Sequence, residues 1–282
     1  MSTVESIMNK PITIPKDSTL DDVINELINK KISRLLVSEE DNYTSIITEK
    51  DLGMFLLTDD SERNLNQIPI SEIMKPLVSV SSSASIKECA QTMIENSIGS
   101  LAINSNGTID GIITKTDLTR YFIESFSGKK IVGEYATLYH AWAYSDTPLY
   151  KVVRKMIDEK ISRIILKNHD DLPEGILTFR DLFRIALEEG NVKEIADNTD
   201  PVISVVLTRK GFLSETGFGA TTTAKQIMTD KIISIRYDDD LAKACKIFLN
   251  NKINAVGVLS SKGRLVGILS KTDVTRAMAF MN

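Results

Sequence analysis

The chain has 282 residues, with 34 lysines and arginines against 38 aspartates and glutamates, so the formal net charge is −4. Hydrophobic residues make up 42% and charged residues 26%, which is typical of soluble globular proteins and excludes wholesale disorder. The length alone predicts about two domains or one large one. The slightly acidic balance offers no bulk attraction to nucleic acid or to anionic membranes.

The few cysteines and the absence of long apolar runs indicate where in the cell the protein is located. Two cysteines cannot build a disulfide framework. With only two cysteines and two histidines in the chain, we do not expect a zinc site built from protein ligands alone. No apolar run approaches the roughly 18 residues that span a bilayer, and residues 1–10 lack an apolar signal core. We therefore expect a cytoplasmic protein with no membrane partner.

A fourfold internal repeat organises the chain. Four times, a Thr or Ser stands three residues before an Asp, and an isoleucine, here called the anchor, precedes each Asp by 19 or 20 residues. The four pairs are Thr48–Asp51, Thr114–Asp117, Thr178–Asp181 and Ser270–Asp273, and the anchors are Ile32, Ile98, Ile161 and Ile253. This regularity predicts four copies of one structural unit.

Each repeat has the same predicted order of elements. An apolar stripe with i, i+3, i+4, i+7 spacing starts 12 residues before each anchor and predicts an amphipathic helix. After the anchor, two apolar runs around a polar turn predict a strand pair, and a second helix begins at Thr/Ser-x-x-Asp. With a short strand in front, the unit reads strand–helix–strand–strand–helix, an α+β fold. Cys89 and Cys245 fall on the stripes, so we interpret them as inert core residues.

The repeats predict the domain organisation. Their bounds are 1–60, 67–126, 131–190 and 224–282, and residues 191–223 form a connecting insertion. The apolar stretch 201–207 predicts an extra strand in the insertion, and residues 217–220 predict a glycine-containing loop. One repeat is too small to bury a good core alone. The anchor spacings of 66 and 63 residues favour pairing of repeat one with two and of three with four.

Several motifs carry a resemblance to a known family. Three repeats open with Ile-Met, at Ile7-Met8, Ile73-Met74 and Ile227-Met228, and repeat two contains Gly111-Ile-Ile-Thr-Lys-Thr-Asp117. Over nearly its whole length the chain resembles the cystathionine β-synthase (CBS) domain family. With four repeats and no catalytic domain, it is similar to the stand-alone four-CBS proteins of archaea and to the γ subunit of AMP-activated protein kinase. The resemblance implies two Bateman modules, each of two repeats, that form a disk with clefts for adenosine compounds.

The resemblance also implies a role for particular residues in nucleotide binding. The ribose ligands would be Asp51, Asp117, Asp181 and Asp273. The phosphate ligands would be Thr48, Thr114, Thr178, Ser270 and the pairs Ser33-Arg34 and Ser162-Arg163, which stand where the kinase subunit has His-Arg. The strand that lines the adenine pocket would contribute Thr13, Ile14, Ser79, Val80, Ser234 and Ile235.

Simpler roles compete with these assignments. Thr/Ser-x-x-Asp is also a helix cap, and an arginine can simply cover apolar surface with its stem. Trp142 stands where other repeats have Thr or Ser in the first strand, so its indole either fills the adenine pocket or stacks on the base. We favour filling, which predicts an altered site at Asp181. Ser45 replaces a glycine of the other repeats, so backbone approach to a ligand should be less free there.

The leading interpretation is a regulatory protein that senses AMP, ADP or ATP. We predict no enzyme activity and no catalytic or metal-binding residues, because the sequence shows no nucleophile–base pair, metal cluster or complete phosphate loop. One alternative is an S-adenosylmethionine-type adenosine sensor, which would gain nothing from an arginine. Another is a nucleic-acid-binding CBS protein, against which the pI of about 5.4 weighs. The resemblance allows magnesium alongside ATP, an unidentified regulated protein, and a homodimer.

Overall fold

The described residues form four similar sheets, each accompanied by helices. The structure is a computed structural model that describes residues 3–40, 42–59, 61, 63–138, 140–179, 181–182, 215 and 218–281. Repeat one contains β1 (Thr13–Pro15), α1 (Leu20–Asn29), β2 (Arg34–Glu39), β3 (Asn42–Thr48) and α2 (Glu49–Thr58). Repeat two contains β4 (Lys75–Pro76), β5 (Ser79–Ser81), α3 (Ile86–Glu95), β6 (Ser100–Ser105), β7 (Thr108–Thr114) and α4 (Lys115–Phe126).

The other two repeats have the same order of elements. Repeat three contains β8 (Trp142–Tyr144), α5 (Leu149–Asp158), β9 (Arg163–Lys167) and β10 (Pro173–Thr178). The segment predicted to form its second helix lies largely outside the described residues. Repeat four follows α6 (Phe218–Thr221) and contains α7 (Ala224–Ile227), β11 (Thr229–Asp230), β12 (Ser234–Arg236), α8 (Leu241–Asn250), β13 (Ala255–Leu259), β14 (Leu265–Ser270) and α9 (Lys271–Phe280). The predicted α+β class and repeat unit are confirmed.

The sheets share one topology and one register. In each repeat the strand before the first long helix (β1, β5, β8 or β12) runs parallel to the strand after that helix (β2, β6, β9 or β13). The latter strand is antiparallel to the next one (β3, β7, β10 or β14). Thr13 pairs with Leu36 as Trp142 pairs with Ile165, so the structure places Trp142 in the predicted equivalent position.

All four predicted apolar stripes are buried. Their residues are at most 5% exposed: Leu20, Val23, Ile24 and Leu27; Ile86, Cys89, Ala90 and Met93; Leu149, Val152, Val153 and Met156; and Leu241, Ala244, Cys245 and Phe248. Burial raises the pKa of the Cys89 thiol to about 11 and that of the Cys245 thiol to about 12, so both stay protonated at neutral pH. This agrees with their interpretation as core residues.

The anchor isoleucines owe their constant position to the way the first helix of each repeat ends. In repeat one the Ile32 N–H donates to the Leu27 carbonyl and the Lys31 N–H to the Ile28 carbonyl, both at 3.1 Å, which is a Schellman motif. The anchor then packs on the core that contains Leu27. The residue before every anchor has a left-handed backbone, with φ of 53° at Lys31, 55° at Ser97, 55° at Lys160 and 54° at Lys252.

A glycine at one of these left-handed positions should stabilise the fold. Lys252 is exposed, and a non-glycine residue pays roughly 1–2 kcal/mol for this conformation. We expect Lys252→Gly to raise the free energy of unfolding by about 0.5–1 kcal/mol in urea denaturation, after the entropic cost of glycine in the unfolded chain. Lys246→Gly, at an exposed position inside α8, is the matched control and should lower it by about 1 kcal/mol. Destabilisation by both substitutions would contradict this account.

The amino-terminal segment of each repeat lies on the sheet of a consecutive repeat. These exchanged segments are residues 3–11, 65–76, 131–138 and 224–230. Strand β4 of repeat two pairs with β3 of repeat one, and β11 of repeat four pairs with β10 of repeat three. In return, Asn9 bridges to Ile112 of repeat two, and Thr137 bridges to Ile268 of repeat four. The exchange thus links repeat one to two and repeat three to four through their amino-terminal segments.

Glycines in the third strands make room for the exchanged segments. A Cβ built on Gly111 would lie 2.5 Å from Sδ of Met8, and one on Gly267 would lie 2.6 Å from the Thr137 carbonyl oxygen. The glycine therefore allows contact between repeats, a role different from the predicted one in ligand approach. This also explains part of the Ile-Met motif, because the methionine covers a glycine of the paired repeat.

Helix packing divides the described chain into two compact units that do not follow the consecutive pairs. The first unit is Met1–Pro11, Leu77–His140 and Ile233–Asn282, and the second is Ile12–Pro76 and Ala141–Ile232. In the first, α3 packs on α9 and α4 on α8, so repeats two and four share one core. This association of alternate repeats was not predicted. Its cause is a second apolar face, since α9 buries Val274, Ala277, Met278 and Ala279.

The insertion differs from its prediction where the structure describes it. The predicted strand at 201–207 lies outside the described residues. Gly219, predicted to belong to a loop, lies in the short helix α6. That helix packs against α5, and the next residue, Thr222, accepts the Leu149 N–H at 2.8 Å, which ties this part of the chain to the start of α5.

Candidate functional site

The four Thr/Ser-x-x-Asp motifs form the same helix cap. In each, one carboxylate oxygen, Oδ2, accepts the backbone N–H and the hydroxyl of the preceding Thr or Ser, at 2.8–3.2 Å and 2.5–2.7 Å respectively. The predicted capping role is confirmed. Because Oδ2 is committed to the cap, any ligand contact must fall mainly on the other oxygen, Oδ1.

The Oδ1 atoms have partners that differ between repeats. Oδ1 of Asp117 accepts Asn9 Nδ2 and Arg120 Nη1, both at 3.0 Å. Oδ1 of Asp273 accepts Arg276 Nη1 at 2.7 Å, and Oδ1 of Asp181 accepts Thr229 Oγ1 at 3.1 Å.

Exchanged segments thus reach two of the candidate ribose ligands. Asn9 and Thr229 each follow the methionine of an Ile-Met motif directly, and each touches the Asp of the paired repeat. Sequence reasoning missed these residues. The available signal was their shared position after Ile-Met.

The first N–H of each second helix is already used within the repeat. Glu49, Lys115, Phe179 and Lys271 donate to the carbonyl oxygens of Ser33, Gly99, Ser162 and Asn254, at 2.9–3.3 Å. Free N–H groups at a helix N-terminus attract phosphate. Here one of those groups in each helix is already satisfied by the carbonyl of the residue after the anchor. Because the capping hydroxyls already donate their single proton to Oδ2, cationic side chains have the larger part in any phosphate contact.

Two lysines cross between repeats two and four in the first unit. Lys115 Nζ donates to Thr272 Oγ1 and Lys271 Nζ donates to Thr116 Oγ1, both at 3.1 Å. Lys271 is only 9% exposed. A cation at the first position of a helix is opposed by the helix dipole. The crossed pair therefore places two cations two residues before Asp117 and Asp273. The shared Lys-Thr-Asp in repeats two and four was the overlooked sequence signal.

Arg34 and Arg163 lie beside the caps of their own repeats. Arg34 pairs with Thr48 across the strand pair β2–β3, and Arg163 pairs with Thr178 across β9–β10. Arg34 Nη2 also donates to Ser33 Oγ at 3.2 Å. Repeats two and four have a smaller residue at the same register, Ser100 opposite Thr114 and Ala255 opposite Ser270.

The first strands separate the proposed adenine-pocket residues into two faces. Ile14 and Ile235 are buried in their cores, and Val80 packs against the core of the first unit. Thr13, Ser79 and Ser234 alternate with them and are not buried in these cores.

Trp142 lies at the surface of repeat three. The residue is 39% exposed, its ring meets Tyr144 edge-on with centroids 5.3 Å apart, and Lys167 Nζ lies 4.8 Å from its centroid. The sequence favoured an indole that fills the adenine pocket. An indole exposed to this extent is not buried in repeat three, so burial gives no reason for Asp181 to be blocked.

His169 gives repeat three a pH-dependent contact near this tryptophan. Its Nε2 lies 2.8 Å from Asp146 Oδ2, and its ring stacks on Tyr144 at 4.6 Å. The hydrogen bond with Asp146 raises the pKa of His169 above its usual 6.5 and lowers the pKa of Asp146 below its usual 3.8. The contribution of His169 to the free energy of unfolding is complete below pH 6.5, and it is lost as pH rises through the raised pKa. The contribution of Asp146 to the free energy of unfolding is complete above pH 3.8, and it is lost as pH falls through the lowered pKa.

We therefore expect the fluorescence of Trp142, the only tryptophan, to titrate with a midpoint above pH 6.5. Loss of the charge on His169 weakens its pairing with Asp146 and shifts Tyr144 against the indole. The measurement is a fluorescence pH titration, with His169→Asn as the control that should abolish the transition while leaving His140 in place. A transition that persists in His169→Asn would disprove the assignment.

Within the described residues, no group of three or more His, Cys, Asp and Glu side chains could hold a metal ion. The same part of the chain contains no helix that is both long and apolar enough to cross a membrane.

The family of the chain follows from comparison with known proteins. The CBS domain model matches residues 4–57, 70–124, 132–188 and 224–280, which together are most of the chain. These matches coincide with the four sheets and the caps described above. The chain belongs to the CBS domain family.

Its relatives include proteins of the same length. The uncharacterized protein MJ1225 of Methanocaldococcus jannaschii is 23% identical over 96% of both chains. The crystal structure of that protein, described as a suggested archaeal homologue of g-AMPK, superposes with a TM-score of 0.80 at 22% identity, covering 99% of this chain and 100% of the other. An uncharacterized conserved protein of Pyrococcus horikoshii has a TM-score of 0.66 at 17% identity, with coverage of 98% and 100%. These structures show the shared fold.

Proposed function

We propose that this chain is a regulatory protein that binds adenine nucleotides at its CBS repeats, with no catalytic role of its own. The observation that carries the proposal is the repeated juxtaposition of an oriented carboxylate, a hydroxyl and cations. In repeats two and four, Asp117 and Asp273 stand beside the capping Thr114 and Ser270, next to the crossed pair of lysines.

The chemistry of these groups suits a nucleotide. A carboxylate oxygen can accept hydrogen bonds from ribose hydroxyls, as acidic residues do in other nucleotide sites. Ammonium and guanidinium groups suit phosphate. The description of the MJ1225 structure as that of a suggested archaeal homologue of g-AMPK is consistent with the proposal. Under this proposal Asp51, Asp117, Asp181 and Asp273 bind ribose.

Two other ligands remain as alternatives. An S-adenosylmethionine-type sensor would use the same carboxylates, but its positive sulfonium would be repelled by Lys115, Lys271 and the arginines. Nucleic-acid binding is opposed by the net charge of −4. The proposal places the chain in the cytoplasm, allows magnesium to accompany ATP, and requires a regulated protein partner; a homodimer is compatible with it.

Calorimetric titration tests the ligand class. AMP, ADP, ATP, S-adenosylmethionine and a short DNA duplex are titrated separately into the full chain at one salt concentration. We expect saturable binding of at least one adenine nucleotide and weaker binding of S-adenosylmethionine. Binding of S-adenosylmethionine or the duplex with no binding of any adenine nucleotide would overturn the proposal.

Substitution of Arg34 tests the phosphate contact. A hydrogen bond that involves a charged group contributes about 1.5–3 kcal/mol, so Arg34→Ala should weaken nucleotide binding by roughly 10-fold to 100-fold at the site that it serves. Titration calorimetry with the same nucleotide gives the affinity, and far-UV circular dichroism checks the fold. Arg264→Ala, which removes an exposed arginine from repeat four, is the charge-matched control. Equal effects of both substitutions would show that Arg34 makes no specific phosphate contact and acts only through its charge or by covering apolar surface.

A further inference from the structure

The carboxylate of Asp117 is fully engaged by the protein itself. Oδ2 accepts the Thr114 N–H at 2.9 Å and the Thr114 hydroxyl at 2.7 Å, and Oδ1 accepts Asn9 and Arg120, both at 3.0 Å. A carboxylate has about four lone-pair positions for hydrogen bonds. Asp117 is also only 6% exposed. A ribose that binds here must therefore replace a donor on Oδ1.

The two donors on Oδ1 are not equally easy to displace. Arg120 has a side chain that is 56% exposed, so water can take over its hydrogen bonds. Asn9 is fixed through its backbone, because its N–H donates to the Ile112 carbonyl at 2.9 Å and its carbonyl accepts the Ile112 N–H at 2.8 Å. The same exchanged segment is anchored at Val4, which is fully buried in the core shared by repeats two and four. The backbone of Asn9 thus holds its side chain in place, where it competes with a ribose hydroxyl for Oδ1 of Asp117.

Repeat four provides the natural contrast. Thr137 makes the same backbone bridge, both to and from Ile268 at 2.9 Å, as Asn9 makes to Ile112. In the described part of the chain, however, Oδ1 of Asp273 accepts a side-chain hydrogen bond from Arg276 and none from Thr137. The two sites have equivalent caps and equivalent exchanged segments, and they differ in whether that segment holds the carboxylate.

We infer that Asn9 restrains ligand binding at Asp117, so that the site of repeat two opens only when the exchanged segment 3–11 releases the carboxylate. The inference rests on the proposed function. Binding at Asp117 and attachment of segment 3–11 are then mutually opposed, and a ligand in repeat two loosens a segment that begins repeat one. At Asp273, the same ligand meets no such restraint from Thr137. The site at Asp117 should therefore bind the ligand more weakly than the otherwise similar site at Asp273.

Matched variants test the restraint. Titration calorimetry with AMP, ADP and ATP is performed on the full chain, on Asn9→Ala and on Thr137→Ala, with Asp117→Ala to identify the contribution of repeat two. We expect Asn9→Ala to tighten binding at the Asp117 site about tenfold or more, since one hydrogen bond to a carboxylate no longer has to be broken. Thr137→Ala should leave the affinities unchanged. Asn9→Ala combined with Asp117→Ala should lose the tightened site.

Hydrogen–deuterium exchange provides a second readout that does not depend on resolving the sites. Saturating nucleotide should speed amide exchange of residues 3–11 in the unsubstituted chain, and no comparable change should occur at 131–138. If nucleotide binds but Asn9→Ala leaves every affinity unchanged or weakens binding, or segment 3–11 becomes more protected, the inference fails while the proposed function stands. If no adenine nucleotide binds to the unsubstituted chain or to Asn9→Ala, the proposed function fails.

Discussion

Asp273→Ala should destabilise the folded chain by about 1–3 kcal/mol and remove one nucleotide site. The carboxylate is 4% exposed and accepts the N–H and hydroxyl of Ser270 together with Arg276. Its removal destroys the cap of α9 and leaves the Ser270 N–H without its acceptor, which accounts for the loss of stability. Urea denaturation measures the stability, and titration calorimetry with saturating nucleotide measures the number of sites. Asp117→Ala should act in the same way at repeat two.

A cap outside the proposed sites separates the two effects. Ser85 and Glu88 form an equivalent capping box at the start of α3, where Glu88 accepts the Ser85 N–H at 2.6 Å. That hydrogen bond holds the pKa of Glu88 below its usual 4.5. Glu88→Ala should therefore lower stability without changing the number of nucleotide sites. If Asp273→Ala and Asp117→Ala also leave the number unchanged, the Thr/Ser-x-x-Asp motifs serve only as helix caps.

Adenine nucleotide should stabilise the whole chain strongly. A ligand that binds only the folded state adds about 2.7 kcal/mol per site at one hundred times its dissociation constant. Thermal denaturation with increasing nucleotide should show a melting temperature that continues to rise beyond half-saturation, and the rise should shrink in the Asp117→Ala, Asp273→Ala double variant. An unchanged melting temperature at millimolar AMP, ADP and ATP would count directly against adenine nucleotides as ligands.

The sequence was most informative where structure depends on local spacing. The stripe that begins at Leu20 and its three counterparts predicted buried helix faces, because 3.6-residue periodicity is a property of one segment alone. The Thr48–Asp51 cap and its equivalents were predictable for the same reason. The function of the anchors was not predicted, since a left-handed residue such as Lys31 is usually signalled by glycine, and none of the four repeats uses glycine there.

Features that depend on contacts between repeats could not be predicted from spacing. Asn9 reaches Asp117 across 108 residues of sequence, and Lys271 reaches Thr116 across 155. No periodicity in either segment encodes such a partner. Gly111 was misread for the same reason: its need for space comes from Met8, which lies in another repeat.

The most direct test of the central claim is a crystal structure of the chain grown with AMP. The account predicts ribose hydroxyls within hydrogen-bond distance of Oδ1 of Asp273, while Oδ2 still caps α9, and phosphate near the capping hydroxyls and cationic side chains. If Asp117 is also occupied, Asn9 should no longer contact its Oδ1. AMP bound only at places remote from all four capping aspartates would contradict the account.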